Sequence, residues 1–70
     1  MSEKAIRELF KKVDISKGLK IKIYGYSEQV EIFSNKMEIK EGYINFYNNE
    51  ELVKIVPISI IKRIDILKKW

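Results

Sequence analysis

The sequence contains no cysteine and no histidine. The lack of cysteine excludes disulfides and thiolate metal sites, and the lack of histidine removes the commonest metal ligand and general base. The serines therefore have no obvious base that would activate them as nucleophiles. We expect a protein that is not an enzyme and that needs no metal and no cofactor.

Glycine and long apolar runs are also scarce. The three glycines are dispersed, so no glycine-rich loop is available to cradle a phosphate. No apolar run approaches the roughly 20 residues that a membrane span needs, and the charged N-terminus lacks a signal-peptide core. We expect a soluble cytoplasmic protein with one domain over residues 1–70, whose small core gains stability if copies assemble.

The first residues predict a helix over about residues 3–13. Ser2 suits an N-cap, and four apolar residues follow at the i, i+3, i+4, i+7 spacing of one helical face. These residues are Ile6, Leu9, Phe10 and Val13. A helix of about three turns is marginal in water alone, so we expect this face to cover the open end of a β-structure.

Alternation of apolar and polar residues predicts short strands between about residues 19 and 67. Residues 19–24 alternate strictly, with Leu19, Ile21 and Ile23 on the buried side. Further strands are expected over residues 29–33, 36–40, 43–47, 52–56 and 61–67. A 3₁₀ turn after Pro57 would introduce the last of them. The pattern predicts a mainly β fold in which a strongly bent sheet of about five strands closes into a small barrel.

Charge is segregated along the chain. Residues 1–26 carry seven basic and three acidic side chains, residues 27–53 carry two and six, and residues 54–70 carry five and one. The net charge is therefore +4, −4 and +4 in turn. A fold that gathers the two basic ends on one surface suits an anionic partner there. The same pattern also fits head-to-tail contact between subunits, or a mixed solvated surface.

The outward side of the first predicted strand is the strongest candidate site. It carries Lys20, Lys22 and Tyr24, continued by Tyr26. Lysines contact phosphates, and each base stacked on an aromatic ring contributes roughly 1–3 kcal/mol. If the first and last strands pair, this surface is extended by Lys62, Arg63, Lys68 and Lys69, with Trp70 as a further stacking group. These residues predict a nucleic-acid-binding module, for single-stranded RNA rather than duplex DNA.

Two alternatives remain at this point. Lysines on a strand can simply protect a sheet edge, and tyrosines are good strand formers that can pack under the helix. A different function, a small protein-binding adaptor or inhibitor of the kind that mobile elements encode, would use the acidic middle segment to dock on a basic partner. That segment contributes Glu28, Glu31, Glu38, Glu41, Glu50 and Glu51.

The order of predicted elements resembles that of the Sm-like barrel, the family of the bacterial Sm-type RNA chaperones and the Lsm proteins. The segment from residue 42 (Gly-Tyr-Ile-Asn-Phe-Tyr) to residues 56–60 (Val-Pro-Ile-Ser-Ile) is similar to the family's third strand, hairpin, fourth strand and closing corner. The resemblance implies a homo-oligomeric ring formed through strands at about 52–56 and 62–67, and it implies binding of single-stranded RNA.

The resemblance does not extend to the family's individual RNA-binding residues. Pro57 and Ile58 stand where the bacterial branch has its Lys-His pair, and the Arg-Gly of the other branch is absent. Residues 40–42, Lys-Glu-Gly, replace the family's Asp/Asn-bearing loop. The candidate site residues therefore depend on strand alternation and charge, not on the family's motifs.

Overall fold

The computed structural model describes residues 1–69, in which a helix is followed by six strands. The helix, α1, spans Glu3–Lys11. The strands are β1 (Leu19–Tyr24), β2 (Gln29–Ser34), β3 (Lys36–Lys40), β4 (Tyr43–Asn48), β5 (Glu51–Pro57) and β6 (Arg63–Lys69). Two 3₁₀ turns lie at Ile15–Lys17 and Ile58–Ile60. Trp70, the further stacking group predicted above, lies outside the described residues.

The strands form two antiparallel sheets of three strands each. The first sheet has the order β2-β1-β6, and the second has the order β3-β4-β5. A mainly β fold with an N-terminal helix is thus confirmed, as is the pairing of the first and last strands. The prediction of a closed barrel of about five strands is wrong: in residues 1–69 the six strands form two open sheets, and no ladder joins the second sheet to the first.

The chain passes from the first sheet to the second at Asn35, and this is why six strands are formed. Ser34 is buried, and its hydroxyl lies 2.8 Å from the carbonyl oxygen of Lys36 and 2.7 Å from that of Tyr47. The amide of Asn35 donates to the same Tyr47 carbonyl. These contacts hold the bend between β2 and β3, so the two strands point their apolar sides into one shared core.

The core lies between the sheets and under the helix. Its fully buried side chains include Ile6 from the helix, Leu19 and Ile21 from β1, and Ile44 and Phe46 from β4. Apolar residues thus come from both sheets at alternate positions, as the period of a half-buried strand requires. No helix in residues 1–69 is long and apolar enough to cross a membrane.

The helix begins as predicted and ends early. The Ser2 hydroxyl accepts a hydrogen bond from the Ala5 amide at 3.1 Å, which makes Ser2 the N-cap. The helix ends at Lys11 rather than near residue 13, but Val13 still packs against the core. In the 3₁₀ turn before β6, Ile58 is buried while Ile60 is 40% exposed, so Ile58 is the core residue of that corner.

The hairpin between β4 and β5 contains a strained residue. Asn49 and Glu50 form its tip and have φ angles of 53° and 70°. The side-chain oxygen of Asn35 accepts a hydrogen bond from the backbone N–H of Asn49 at 3.0 Å. The side-chain nitrogen of Asn35 donates to the side-chain oxygen of Asn49 at 3.1 Å. Two positive φ angles are typical of a type I′ turn, in which asparagine is tolerated at the first position and glycine is favoured at the second.

We expect Glu50→Gly to raise the free energy of unfolding by about 0.5–1 kcal/mol, because glycine adopts positive φ without a steric penalty. For a domain of this size the melting temperature should rise by about 4 °C, measurable by circular dichroism. Glu51→Gly is the matched control: Glu51 lies in β5, where glycine weakens a strand, so stability should fall. A lower stability for Glu50→Gly would contradict the turn assignment.

Candidate nucleic-acid interface

The outer side of the first sheet gathers most of the predicted site residues. Leu19, Ile21 and Ile23 are buried, so the alternate residues of β1 face outward. Pairing with β2 and β6 sets these residues in three rows, which we call the basic face: Phe33-Lys20-Lys68, Glu31-Lys22-Asp65 and Gln29-Tyr24-Arg63.

Cations lie over the aromatic rings of the basic face. The guanidinium carbon of Arg63 lies 4.1 Å from the centre of the Tyr24 ring, and the Lys22 ammonium lies 5.2 Å from the same point. The hydrogen bond with Tyr24, followed by the charge of Asp65, raises the pKa of Arg63. Arg63 therefore stays charged and lies against a ring, a combination that suits contact with a phosphate or a base.

Two carboxylates reduce the positive charge of this face. Glu31 lies 3.4 Å from the Lys20 ammonium, and Asp65 lies 3.3 Å from the Arg63 guanidinium. Both ion pairs are at the surface, so each contributes little to stability, and water competes for the charged groups. With four cations and two carboxylates the basic face has a net charge of +2.

Tyr26 and Lys62 lie at one end of the basic face, not on its strands. β1 ends at Tyr24, so the expected continuation of its alternation to Tyr26 is wrong. The chain turns at Gly25, whose amide donates to the Glu28 carbonyl at 2.7 Å. Tyr26 is 73% exposed in the following loop, and the Lys62 ammonium lies 4.9 Å from the centre of its ring.

The last lysines are divided between the two sides of the sheet. A bulge at the pairing of β1 with β6 brings Lys68 opposite Lys20 and leaves Lys69 opposite the buried Leu19. Lys68 therefore belongs to the basic face. Lys69 is exposed at the strand end but lies on the other side, so the structure does not bring it together with the other predicted residues.

Sequence reasoning missed Phe33 as a member of this face. Phe33 is 51% exposed, and the Lys20 ammonium lies 5.6 Å from the centre of its ring. A signal was available in the sequence: Phe33 lies at an alternate, outward-facing position of β2, in line with the polar residues Gln29 and Glu31. An aromatic ring at an outward position of the strand adds a group on which a base can stack.

The acidic residues of the middle segment do not form one surface. Glu31 is part of the basic face, and Glu38 lies on the outer side of the second sheet. The other four lie in or beside loops: Glu28, Glu41, Glu50 and Glu51. The single acidic docking face that the adaptor alternative requires is therefore not assembled.

The outer side of the second sheet is different in character. Its register gives three rows, which we call the tyrosine face: Lys36-Tyr47-Leu52, Glu38-Asn45-Ile55 and Lys40-Tyr43-Pro57. The Tyr47 hydroxyl donates to Glu38 at 2.7 Å. This hydrogen bond, followed by the charge of Lys40, holds the pKa of Glu38 below its ordinary value. The same hydrogen bond, followed by burial, raises the pKa of Tyr47.

We expect Tyr47→Phe to raise the pKa of Glu38 toward its ordinary value, because the main cause of the depression is removed. The folded pKa of Glu38 is below the unfolded one, so its contribution to stability is present at neutral pH and is lost as the pH falls through the folded pKa. Carbon-detected NMR titration of the Glu38 carboxyl measures the change. Tyr43→Phe, on the same face, should leave that pKa unaltered.

A cleft of about 250 Å³ separates the sheets where β2 faces β5. Apolar side chains line it, including Val30, Val56 and Ile60, with Glu28 and Lys54 among its polar lining residues. In residues 1–69 no group of three or more carboxylates is placed to hold a metal ion.

The comparisons with known proteins give no relative for this chain. No protein-family model matches it, and neither the curated proteins nor the solved structures contain a significant match.

Proposed function

We propose that this protein binds single-stranded nucleic acid, such as single-stranded RNA, in preference to duplex DNA, through the basic face. The observation that carries the proposal is the Lys22-Tyr24-Arg63 cluster, in which two cations lie over one aromatic ring at the surface of a rigid sheet. An aromatic group surrounded by cations matches a polymer of flat bases joined by phosphates.

In the proposed mechanism the cations act first. Lys20, Lys22, Arg63 and Lys68 attract the phosphates, which replace Glu31 and Asp65 as partners of Lys20 and Arg63. Bases then stack on Phe33, on the exposed Tyr26 and on the Arg63–Tyr24 pair. Rows of a sheet are about 7 Å apart, close to the spacing of bases in an extended single strand.

The test is a titration with a short single-stranded oligonucleotide at several salt concentrations. Four to six phosphate contacts predict a line of slope about −3 to −4 when log K is plotted against log salt, at about −0.7 per contact. Duplex DNA of the same length is the control and should bind more weakly. An absence of binding at low salt would exclude the proposal.

We propose in addition that copies associate through the free edges of β5 and β6. Each is an edge strand with exposed apolar side chains, Leu52, Val53 and Ile55 on β5 and Leu67 on β6. Because the two edges on one molecule are complementary, copies can assemble head to tail, with β5 of one copy against β6 of the next. A ring forms if the rotation from each copy to the next adds up to a full turn. The resemblance to the Sm-like barrel also implies that these two strands pair between neighbouring subunits.

Light scattering behind a sizing column tests this association. We expect a mass of several copies, and Leu67→Lys should lower it because a charge at the edge opposes strand addition. Lys69→Glu, at the end of the same strand but on its other side, alters charge without removing an apolar group and is the control. A monomeric mass at all concentrations would contradict ring formation but not RNA binding.

A further inference from the structure

One cation of the basic face, the Lys20 ammonium, contacts both an aromatic ring and a carboxylate. It lies 5.6 Å from the centre of the Phe33 ring and 3.4 Å from a carboxylate oxygen of Glu31. Phe33 and Glu31 are alternate residues of β2, so both face outward and their Cα atoms are about 7 Å apart. We call these three residues the Phe33 unit.

The same arrangement recurs on the other edge strand of the first sheet. The guanidinium carbon of Arg63 lies 4.1 Å from the centre of the Tyr24 ring, and a nitrogen of that group lies 3.3 Å from a carboxylate oxygen of Asp65. Arg63 and Asp65 are alternate residues of β6. We call these three residues the Tyr24 unit. The basic face thus contains one pattern twice: a ring, a cation and a carboxylate.

The two carboxylates oppose the binding of a polyanion unless they have a partner of their own. When phosphates replace Glu31 and Asp65 beside the two cations, both carboxylates are left next to the bound strand. The Glu31 side chain is 47% exposed and that of Asp65 is 38% exposed, so a bound base has access to both. N–H groups of that base would satisfy the carboxylates through charge-assisted hydrogen bonds.

We propose that the Phe33 and Tyr24 units select guanine in a single strand, an inference that rests on the proposed function. In each unit the base stacks on the ring or on the cation that covers it, and the carboxylate accepts hydrogen bonds from its Watson–Crick edge. That edge is free in a single strand and already paired in a duplex.

The donor pattern of the base is what selects guanine. A carboxylate presents two acceptor oxygens and no donor. Guanine has two adjacent donors on its Watson–Crick edge, N1–H and the N2 amino group, which match the two oxygens. Adenine and cytosine have a ring-nitrogen acceptor beside their amino group, and uracil has a carbonyl oxygen on each side of N3–H. Each of these three bases therefore brings an acceptor against the carboxylate.

The test is fluorescence anisotropy at low salt with an RNA of about eight uridines, in which one central base is left as uracil or replaced by guanine, adenine or cytosine. We expect the guanine strand to bind about fivefold more tightly than the others, the lower end of the range for a bidentate contact, because both carboxylates are at the surface. Inosine at the same position lacks the N2 amino group and should lose most of this preference.

The double variant Glu31→Gln, Asp65→Asn should change two quantities in opposite directions. An amide has one acceptor oxygen, so the preference for guanine should fall below about twofold. The all-uridine strand should bind more tightly, because two negative charges are removed from the face. Glu41→Gln, Glu51→Gln removes the same charge from exposed positions outside the basic face and should preserve the preference.

The outcomes separate this inference from the proposed function. Equal affinities for all the strands would overturn the inference and leave the proposed function intact. A preference for guanine that persists in the Glu31→Gln, Asp65→Asn variant would also overturn it, because the carboxylates would not be the groups that select the base. If no strand binds, the proposed function is excluded and the inference with it.

Discussion

The double variant Lys22→Gln, Arg63→Gln should bind a single-stranded oligonucleotide about 25-fold more weakly than the unaltered protein at 0.1 M salt. Each phosphate contact on a single strand contributes about 0.7 to the salt slope, so two lost contacts amount to about 1.4 log units over one decade of salt. The slope itself should decrease by the same amount. Fluorescence anisotropy at several salt concentrations measures both quantities.

Lys36→Gln, Lys40→Gln is the matched control for that variant. It removes the same charge from the tyrosine face, so any effect of net charge alone would be equal in the two proteins. We expect a change of less than about twofold for the control, since long-range charge is screened beyond about 10 Å at this ionic strength. Equal losses in both variants would show that binding depends on net charge and not on the basic face.

Phe46→Ala should lower the free energy of unfolding by about 3–5 kcal/mol. Phe46 is fully buried in the central strand of the second sheet, and removing a buried phenylalanine side chain costs about 3–5 kcal/mol. A domain of this length has a total stability of about 4–10 kcal/mol, so the loss is a large fraction of it. Urea unfolding followed by circular dichroism measures the difference.

Phe33→Ala is the control for the core variant. It removes the same side chain from an exposed position, where we expect a cost below about 1 kcal/mol. The same substitution should lower oligonucleotide affinity, because Phe33 belongs to the basic face. If Phe46→Ala were as stable as Phe33→Ala, the assignment of the core between the two sheets would be wrong.

Local structure was predictable because it depends on local patterns. The strict alternation from Leu19 to Tyr24 and from Lys36 to Lys40 predicted β1 and β3 with their observed bounds. Ser2 predicted the start of the helix through its capping hydroxyl. In each case the signal lies within a few residues of the structure it predicts.

Closure of the sheet was not predictable in the same way. Whether β5 and β6 form a ladder depends on contacts between residues far apart in sequence, and no single residue indicates that their edges stay open. The break between β2 and β3 was predicted, but the hydrogen bond that holds this bend, from Ser34 to the carbonyl of Tyr47 in another strand, was not. Non-local hydrogen bonds of this kind leave no periodic trace in the sequence.

The site was predictable where the alternation of side chains along a strand decides which residues face outward. Lys20, Lys22 and Tyr24 face outward as alternation requires, but Gly25 turns the chain and places Tyr26 in a loop. On β6 the bulge places Arg63 and Lys68 on the same side of the sheet, whereas alternation alone would have placed them on opposite sides. Glu31 and Asp65 entered the face through strand register, which a single sequence does not specify.

The most direct test of the account is an NMR titration of the labelled protein with a short single-stranded oligonucleotide at low salt. The account predicts that the largest shifts fall on the basic face, at Lys20, Lys22, Tyr24 and Arg63, with smaller ones at Tyr26. Shifts that are confined to the second sheet and the helix, or a spectrum that does not respond at all, would contradict it.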